Sequence, residues 1–179
     1  MKKKFKTGKG ILFWITGLSG SGKTTLGMNI FNFVNENFGP TLIFSGDEIR
    51  KIFNLNLYDL KSRIEYLNFY INLCKNITDQ NINVIFCVVG LNDNIRKINR
   101  AKFKNYIEIF LKTRITDIKK LNKKKIYRIT NKNLWGIDLK PDFPKYPDII
   151  IKNDFSKSPK DLSLILMKKL FKYKNFFSR

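Results

Sequence analysis

Residues 17–24 read GLSGSGKT and follow directly on ILFWIT, a run that is apolar almost throughout. A short apolar run ending in glycine is how a buried parallel strand reads. Behind the loop, residues 24–37 place Leu26, Ile30, Phe33 and Val34 at helical spacing. Strand, glycine-rich turn and helix in that order are the context in which G-x-x-x-x-G-K-[ST] acts as a phosphate-binding loop. The glycines let the backbone wrap so that successive N–H groups face an anion, and the helix adds its positive end. The set Gly17, Ser19, Gly20, Ser21, Gly22, Lys23, Thr24 and Thr25 is therefore expected to hold ATP. Lys23 reaches the β- and γ-phosphates, and the Thr24 hydroxyl ligates Mg²⁺.

The rest of the chain alternates. TLIFSG (41–46) reads as a second strand, and Asp47 is placed to cap the short helix after it. A helix is expected over about 60–80, with Leu67, Ile71, Cys74 and Ile77 on one stripe, followed by a strand over 82–90. A helix at 93–104, a strand at 106–112 and a short helix at 114–122 come next. Periodicity fades between 123 and 147, where Lys, Asn, Gly and Pro take over. DIIIK (148–152) then leads to a helix over about 159–171 that starts at Ser158-Pro159. Strands alternating with helices predict an α/β fold with a parallel sheet and ligands at the carboxyl ends of the strands. One domain over 1–179 is expected, with basic tails at 1–10 and 172–179.

Composition narrows the chemistry. There is no histidine, so imidazole acid–base catalysis is excluded, and two cysteines, Cys74 and Cys87, in apolar patterns read as buried thiols rather than zinc ligands. No apolar run approaches the roughly 20 residues of a spanning helix. The basic start lacks a signal-peptide cleavage site, so a cytoplasmic location is expected. The 35 Lys plus Arg against 14 Asp plus Glu give a formal charge of +21. A field of that sign attracts nucleotides, nucleic acid or acidic membranes. Because the lysines are spread along the whole chain, solvated faces explain them as well as a nucleic-acid footprint does. Nucleic acid is thus not the expected partner, although a nucleic-acid-binding or regulatory P-loop protein is the alternative of another class.

The base-specifying N-K-x-D motif of GTPase switches is absent, whereas small kinases place acceptor groups after the second and third strands and a basic lid after the fourth. Here SGDEIR follows the second strand and the lysine-rich segment 119–128 follows the fourth. With GLSGSGKTT, Gly46-Asp47-Glu48-Ile49-Arg50, Arg63, Lys124 with Tyr127, Gly136-Ile137-Asp138, and Pro144 with Pro147, the chain resembles the adenylyl-sulfate kinase family over about residues 11–154. Those enzymes phosphorylate the ribose 3′-hydroxyl of adenosine 5′-phosphosulfate. The resemblance implies a P-loop kinase three-layer sandwich with a mostly parallel five-stranded sheet and a basic lid at about 119–140. It also implies ATP as co-substrate, Mg²⁺ and a homodimer.

By that resemblance Asp47 is the catalytic base or orienting group beside Lys23, and a second candidate for the magnesium besides Thr24. Arg50 and Arg63 hold the acceptor's anionic groups, as guanidinium forks match phosphate or sulfate oxygens. Lys124 closes with the lid, and Tyr58, Tyr66, Val89, Gly90, Leu134 and Trp135 complete the acceptor set. Departures from the family pattern fall mostly around the acceptor. Ser45 replaces the first aspartate of D-G-D, Tyr66 an asparagine, Gly90 a serine, and Leu134-Trp135 the usual Phe-Thr. Residues 73–85, Asn99-Arg100 and Tyr106-Ile107-Glu108 are similar to a branch met in bacterial surface-polysaccharide pathways, which includes kinases of cytidine diphosphoramidate in capsule decoration. An ATP-dependent kinase of the ribose 3′-hydroxyl of a 5′-modified nucleotide is the expectation. Adenylyl sulfate is the family-level acceptor and cytidine diphosphoramidate its rival.

Overall fold

A computed structural model describes residues 8–121 and 135–174. Five strands, β1 (Leu12–Thr16), β2 (Thr41–Ser45), β3 (Asn83–Val88), β4 (Tyr106–Lys112) and β5 (Ile149–Lys152), form one sheet in the order β2-β3-β1-β4-β5. Every pairing is parallel, where a mostly parallel sheet was expected. The helices are α1 (Lys23–Phe38), α2 (Gly46–Ile52), α3 (Leu60–Asp79), α4 (Asp93–Lys102), α5 (Ile115–Lys120) and α6 (Pro159–Lys174). β1 lies at the centre, so all five residues of LFWIT are buried.

Alternation along β1 divides the core into two faces. Phe13 and Ile15 pack with Leu26, Ile30 and Val34 of α1 and Leu162, Leu166 and Leu170 of α6. Leu12 and Trp14 pack on the other face with Tyr70, Ile71 and Cys74 of α3 and Ile95 of α4. Helices on both faces of a parallel sheet make three layers. Because β1 pairs with β3 on one side and β4 on the other, the connections diverge about it and open a crevice at the strands' carboxyl ends.

One helix start differs from expectation. Asp47 lies inside α2, and the cap is Ser45, whose hydroxyl accepts from the Glu48 N–H at 3.2 Å while the Glu48 carboxylate accepts from the Ser45 N–H at 3.2 Å. This reciprocal capping box satisfies two N–H groups at once. Ser158 and Asp161 do the same for α6, with the Asp161 N–H donating to Ser158 Oγ at 3.1 Å. That helix runs to Lys174, so residues 172–174 belong to it and not to a tail. At the other end, Lys9 and Gly10 are likewise part of the fold. Lys9 Nζ donates to the Asp79 carbonyl at 3.1 Å, the Gly10 N–H donates to Thr78 at 2.8 Å, and a Cβ on Gly10 would meet Ile82 O at 2.0 Å.

Asn99, Arg100, Tyr106 and Glu108 come together on the α4 side of the sheet, none of them lining the cavity described below. Arg100 Nη2 donates to Glu108 Oε2 at 2.6 Å, and the Glu108 N–H donates to Asp148 at 2.8 Å. Arg96 Nε stands 3.7 Å from Glu108 Oε1 and its Nη1 donates to the Asp142 carbonyl at 2.5 Å. Burial lifts the Glu108 carboxyl above its ordinary range even against the pull of Arg100 and Arg96. These residues tie α4 to β4 and to the segment that re-enters the sheet as β5.

Candidate active site

The phosphate loop owes its shape to backbone positions that few side chains tolerate. Gly20 and Gly22 have φ of +77° and +96°, in the left-handed region where only glycine is unstrained. Gly17 sits so close to β4 that a Cβ there would lie 2.5 Å from Leu111 O. Ser19, Gly20, Gly22, Lys23, Thr24 and Thr25 line a cavity of about 630 Å³ at the carboxyl ends of the strands. Gly17 and Ser21 do not line it. Lys23 is buried, and one of its donors goes to the Leu18 carbonyl at 2.7 Å, which holds the ammonium over the loop.

The acceptor set meets the phosphate loop across the same cavity. Asp47, Arg50, Tyr58, Arg63 and Tyr66 all line it, as do Val89, Gly90 and Trp135. Lys124 and Leu134 lie outside the described residues, with most of the 119–140 lid. Arg50 Nη2 donates to the Leu57 carbonyl at 2.7 Å, and Arg63 Nε to the Tyr58 carbonyl at 2.7 Å. The Arg50 guanidinium lies 4.1 Å from the Tyr58 ring centroid and 5.0 Å from that of Tyr66, and Arg63 lies 5.4 Å from Tyr58. Such stacking holds cations against aromatic faces. Burial first, and the charge of Arg50 second, hold Arg63 below its ordinary value, although a guanidinium stays protonated. Two neighbouring cations lining one cavity suit an anion.

Gly90 has a physical reason of its own. Its φ is +50°, and a Cβ would lie 3.1 Å from Trp14 Nε1 and 3.2 Å from Trp14 Cζ2. The indole of Trp14, fully buried and stacked on Phe86 at 5.4 Å, occupies the space a side chain at 90 would need. Ser45 also has a structural task, as the cap of α2. Trp135 is buried with Leu18, Leu91, Phe110 and Ile118 and forms part of the cavity wall.

Several lining residues were not anticipated. Tyr70, whose phenol burial pushes up to about 12, donates its hydroxyl to the Gly46 carbonyl at 3.4 Å. Asn153, Phe155, Ser156, Lys157 and Pro159 form the wall after β5. Asn153 follows the last strand as Ser45 ends the second, and a polar residue at a strand's carboxyl end is the signal that points to it. Ser45-x-x-Glu48 was likewise readable as a capping box.

A single carboxylate, Asp47, shares the cavity with the Thr24 hydroxyl. Among the described residues no group of three His, Cys, Asp or Glu forms a metal cage. This donor set fits Mg²⁺, which keeps several waters and takes one or two protein oxygens alongside substrate phosphates.

The chain is similar to known proteins over most of its length. The sequence model described as adenylylsulphate kinase matches residues 9–152. The chain is 29% identical over 163 residues to the cytidine diphosphoramidate kinase of Campylobacter jejuni subsp. jejuni serotype O:2, covering 89% of this chain and 95% of that one. It is 26% identical over 172 residues to the adenylyl-sulfate kinase of Clostridium kluyveri, covering 93% of this chain and 86% of the other. The fold matches that of the Mycobacterium tuberculosis APS kinase solved in complex with AMPPNP and APS, with a TM-score of 0.81 at 23% identity over 91% of this chain and 98% of that one.

Proposed function

The chain belongs to the adenylylsulphate kinase family, and from that membership we propose that it transfers the γ-phosphate of ATP to the ribose 3′-hydroxyl of a 5′-modified nucleotide, residues 1–179 acting as one kinase domain. One observation carries this reading: the intact phosphate loop and the set Asp47, Arg50 and Arg63 line a single cavity. In such a cavity donor and acceptor are held side by side, and positioning plus charge stabilisation supply most of the catalysis.

The N–H groups of the loop and the start of α1 cradle the phosphates, and Lys23 neutralises charge on the γ-phosphate. Asp47 orients the acceptor hydroxyl and takes its proton as the new O–P bond forms and the bond to the β-phosphate oxygen breaks. Arg50 and Arg63 clamp the acceptor's anionic 5′ group, which relieves their mutual repulsion. Thr24 and Asp47, which line the same cavity, would hold Mg²⁺, which neutralises developing phosphate charge when bound.

Adenylyl sulfate fits this clamp. Cytidine diphosphoramidate is a second acceptor, favoured by the similarity to the Campylobacter enzyme and by Tyr66, which departs from the sulfate-enzyme pattern inside the cavity. Purified protein with ATP and Mg²⁺, offered both acceptors side by side, is expected to phosphorylate one of them. Absence of turnover with both would defeat the reading. A homodimer is part of the proposal, and a monomer by light scattering would remove it.

A further inference from the structure

Asn153 joins three parts of the donor side. Its Nδ2 donates to the Ser21 carbonyl at 2.9 Å, its Oδ1 accepts from the Phe155 N–H at 3.0 Å, and its own N–H donates to the Lys112 carbonyl at 2.9 Å. The side chain is buried, 6% exposed, so these bonds are made away from competing water.

The Ser21 carbonyl and the Gly22 N–H belong to one trans peptide unit, in which C=O and N–H point in opposite directions. Gly22 lines the cavity and Ser21 does not. Holding the carbonyl on Asn153 fixes the Gly22 N–H on the opposite side of the peptide, at the start of α1, where a phosphate oxygen would sit. The peptide has a reason to need holding. Gly22 has φ of +96°, and glycine rotates between positive and negative φ at little cost, so the peptide before it flips readily. No other bond to the Ser21 carbonyl is recorded among the described hydrogen bonds.

We propose that Asn153 is a positioning residue for the phosphate loop, locking the Ser21–Gly22 peptide in the orientation that presents the Gly22 N–H to the donor's phosphates. Through its bond to Phe155, whose φ is +67° and which lines the same cavity, it also sets the loop that walls the donor side. The inference rests on the reading of this cavity as an ATP site but not on the identity of the acceptor.

Its test is Mg-ADP binding by calorimetry and by the Gly22 amide resonance. The proteins are the wild type, Asn153→Ala, and Asn153→Asp, which is isosteric and keeps the Phe155 contact if the alanine variant does not fold. In both variants the Mg-ADP Kd is expected to rise about tenfold. The shift of the Gly22 amide on ADP addition is expected to fall below roughly half its wild-type size while that of Thr25 is kept. Unchanged Kd in the variants, or Gly22 and Thr25 shifts that shrink together, would overturn the peptide lock while leaving the kinase reading in place. An effect confined to Asn153→Asp assigns the loss to added charge and overturns it equally. A wild type that does not bind Mg-ADP defeats the donor reading and this inference with it.

Discussion

Replacing Gly90 by serine restores the residue type found in the sulfate-activating pattern, and the structure says what it should cost. The backbone at 90 has φ of +50°, which penalises a side chain by roughly 1–2 kcal/mol. The new Cβ would stand 3.1 Å from Trp14 Nε1, 3.2 Å from Trp14 Cζ2 and 3.3 Å from Val88 Cγ1, all closer than ordinary contact. Trp14 is fully buried and stacked on Phe86, so it cannot swing into open space. Overpacking of this kind adds about 1–3 kcal/mol, for a total of about 2–5 kcal/mol of lost stability. Trp14→Phe shortens the ring edge facing residue 90 and should remove most of the steric part but none of the backbone part. A urea-denaturation cycle of wild type, both single variants and the double variant measures this directly. The expected coupling is favourable by about 1 kcal/mol or more, where independent sites add within about 0.3–0.5 kcal/mol. Strict additivity would refute the claim that Trp14 dictates glycine at 90, and would return Gly90 to the acceptor as the reason for its identity.

Lys23→Ala removes the cation held over the loop by Leu18 and should lower kcat at least roughly 10²–10³-fold; steady-state rates on the best acceptor measure it, and an unchanged rate removes the donor mechanism. Ser45→Ala deletes the cap of α2 and should cost about 1 kcal/mol, or about 2–4 °C in Tm for a chain of this size. Ser45→Thr, which keeps a hydroxyl able both to accept from the Glu48 N–H and to donate to its carboxylate, should recover most of it. Asp79 is bonded by Lys75 and Lys9, and these hold its carboxyl below the ordinary 3.8. Its contribution is therefore complete above about pH 5, where it is ionised folded and unfolded alike, and is lost progressively as pH falls through 3.8 toward the lower folded-state value, because the unfolded chain binds the proton first. Denaturation midpoints between pH 6 and pH 3 should accordingly drop less steeply for Asp79→Asn than for the wild type.

Some of this protein was legible because it is written in contiguous residues. A strand, a glycine-rich turn and a helix lie within residues 12–38, and hydrogen bonding of phosphate to consecutive N–H groups needs only that stretch. The alternation of apolar runs likewise specified a parallel sheet, since strands buried on both faces read as continuous hydrophobic segments. The SGDEIR segment is contiguous too, and its Asp47 and Arg50 line the cavity. Asp47 is of a residue type that caps helices, yet Ser45, two residues earlier, is the one left in extended backbone at the strand's end.

What only the tertiary structure decided depends on which strand ends lie side by side. Asn153 reaches Ser21 across 132 residues of chain, because β4 pairs with β1 on one edge and β5 on the other and so brings the end of β5 to the phosphate loop. Trp14 and Gly90 meet because β1 and β3 are neighbours, and nothing in the spacing of the two residues announces it. Asn99, Arg100, Tyr106 and Glu108 stood out as a pattern, and the fold turned them into a brace between α4 and β4, away from the cavity. Local chemistry follows from the order of residues. The contacts that orient it follow from sheet order and from side chains crossing between strands, which a linear spacing does not encode.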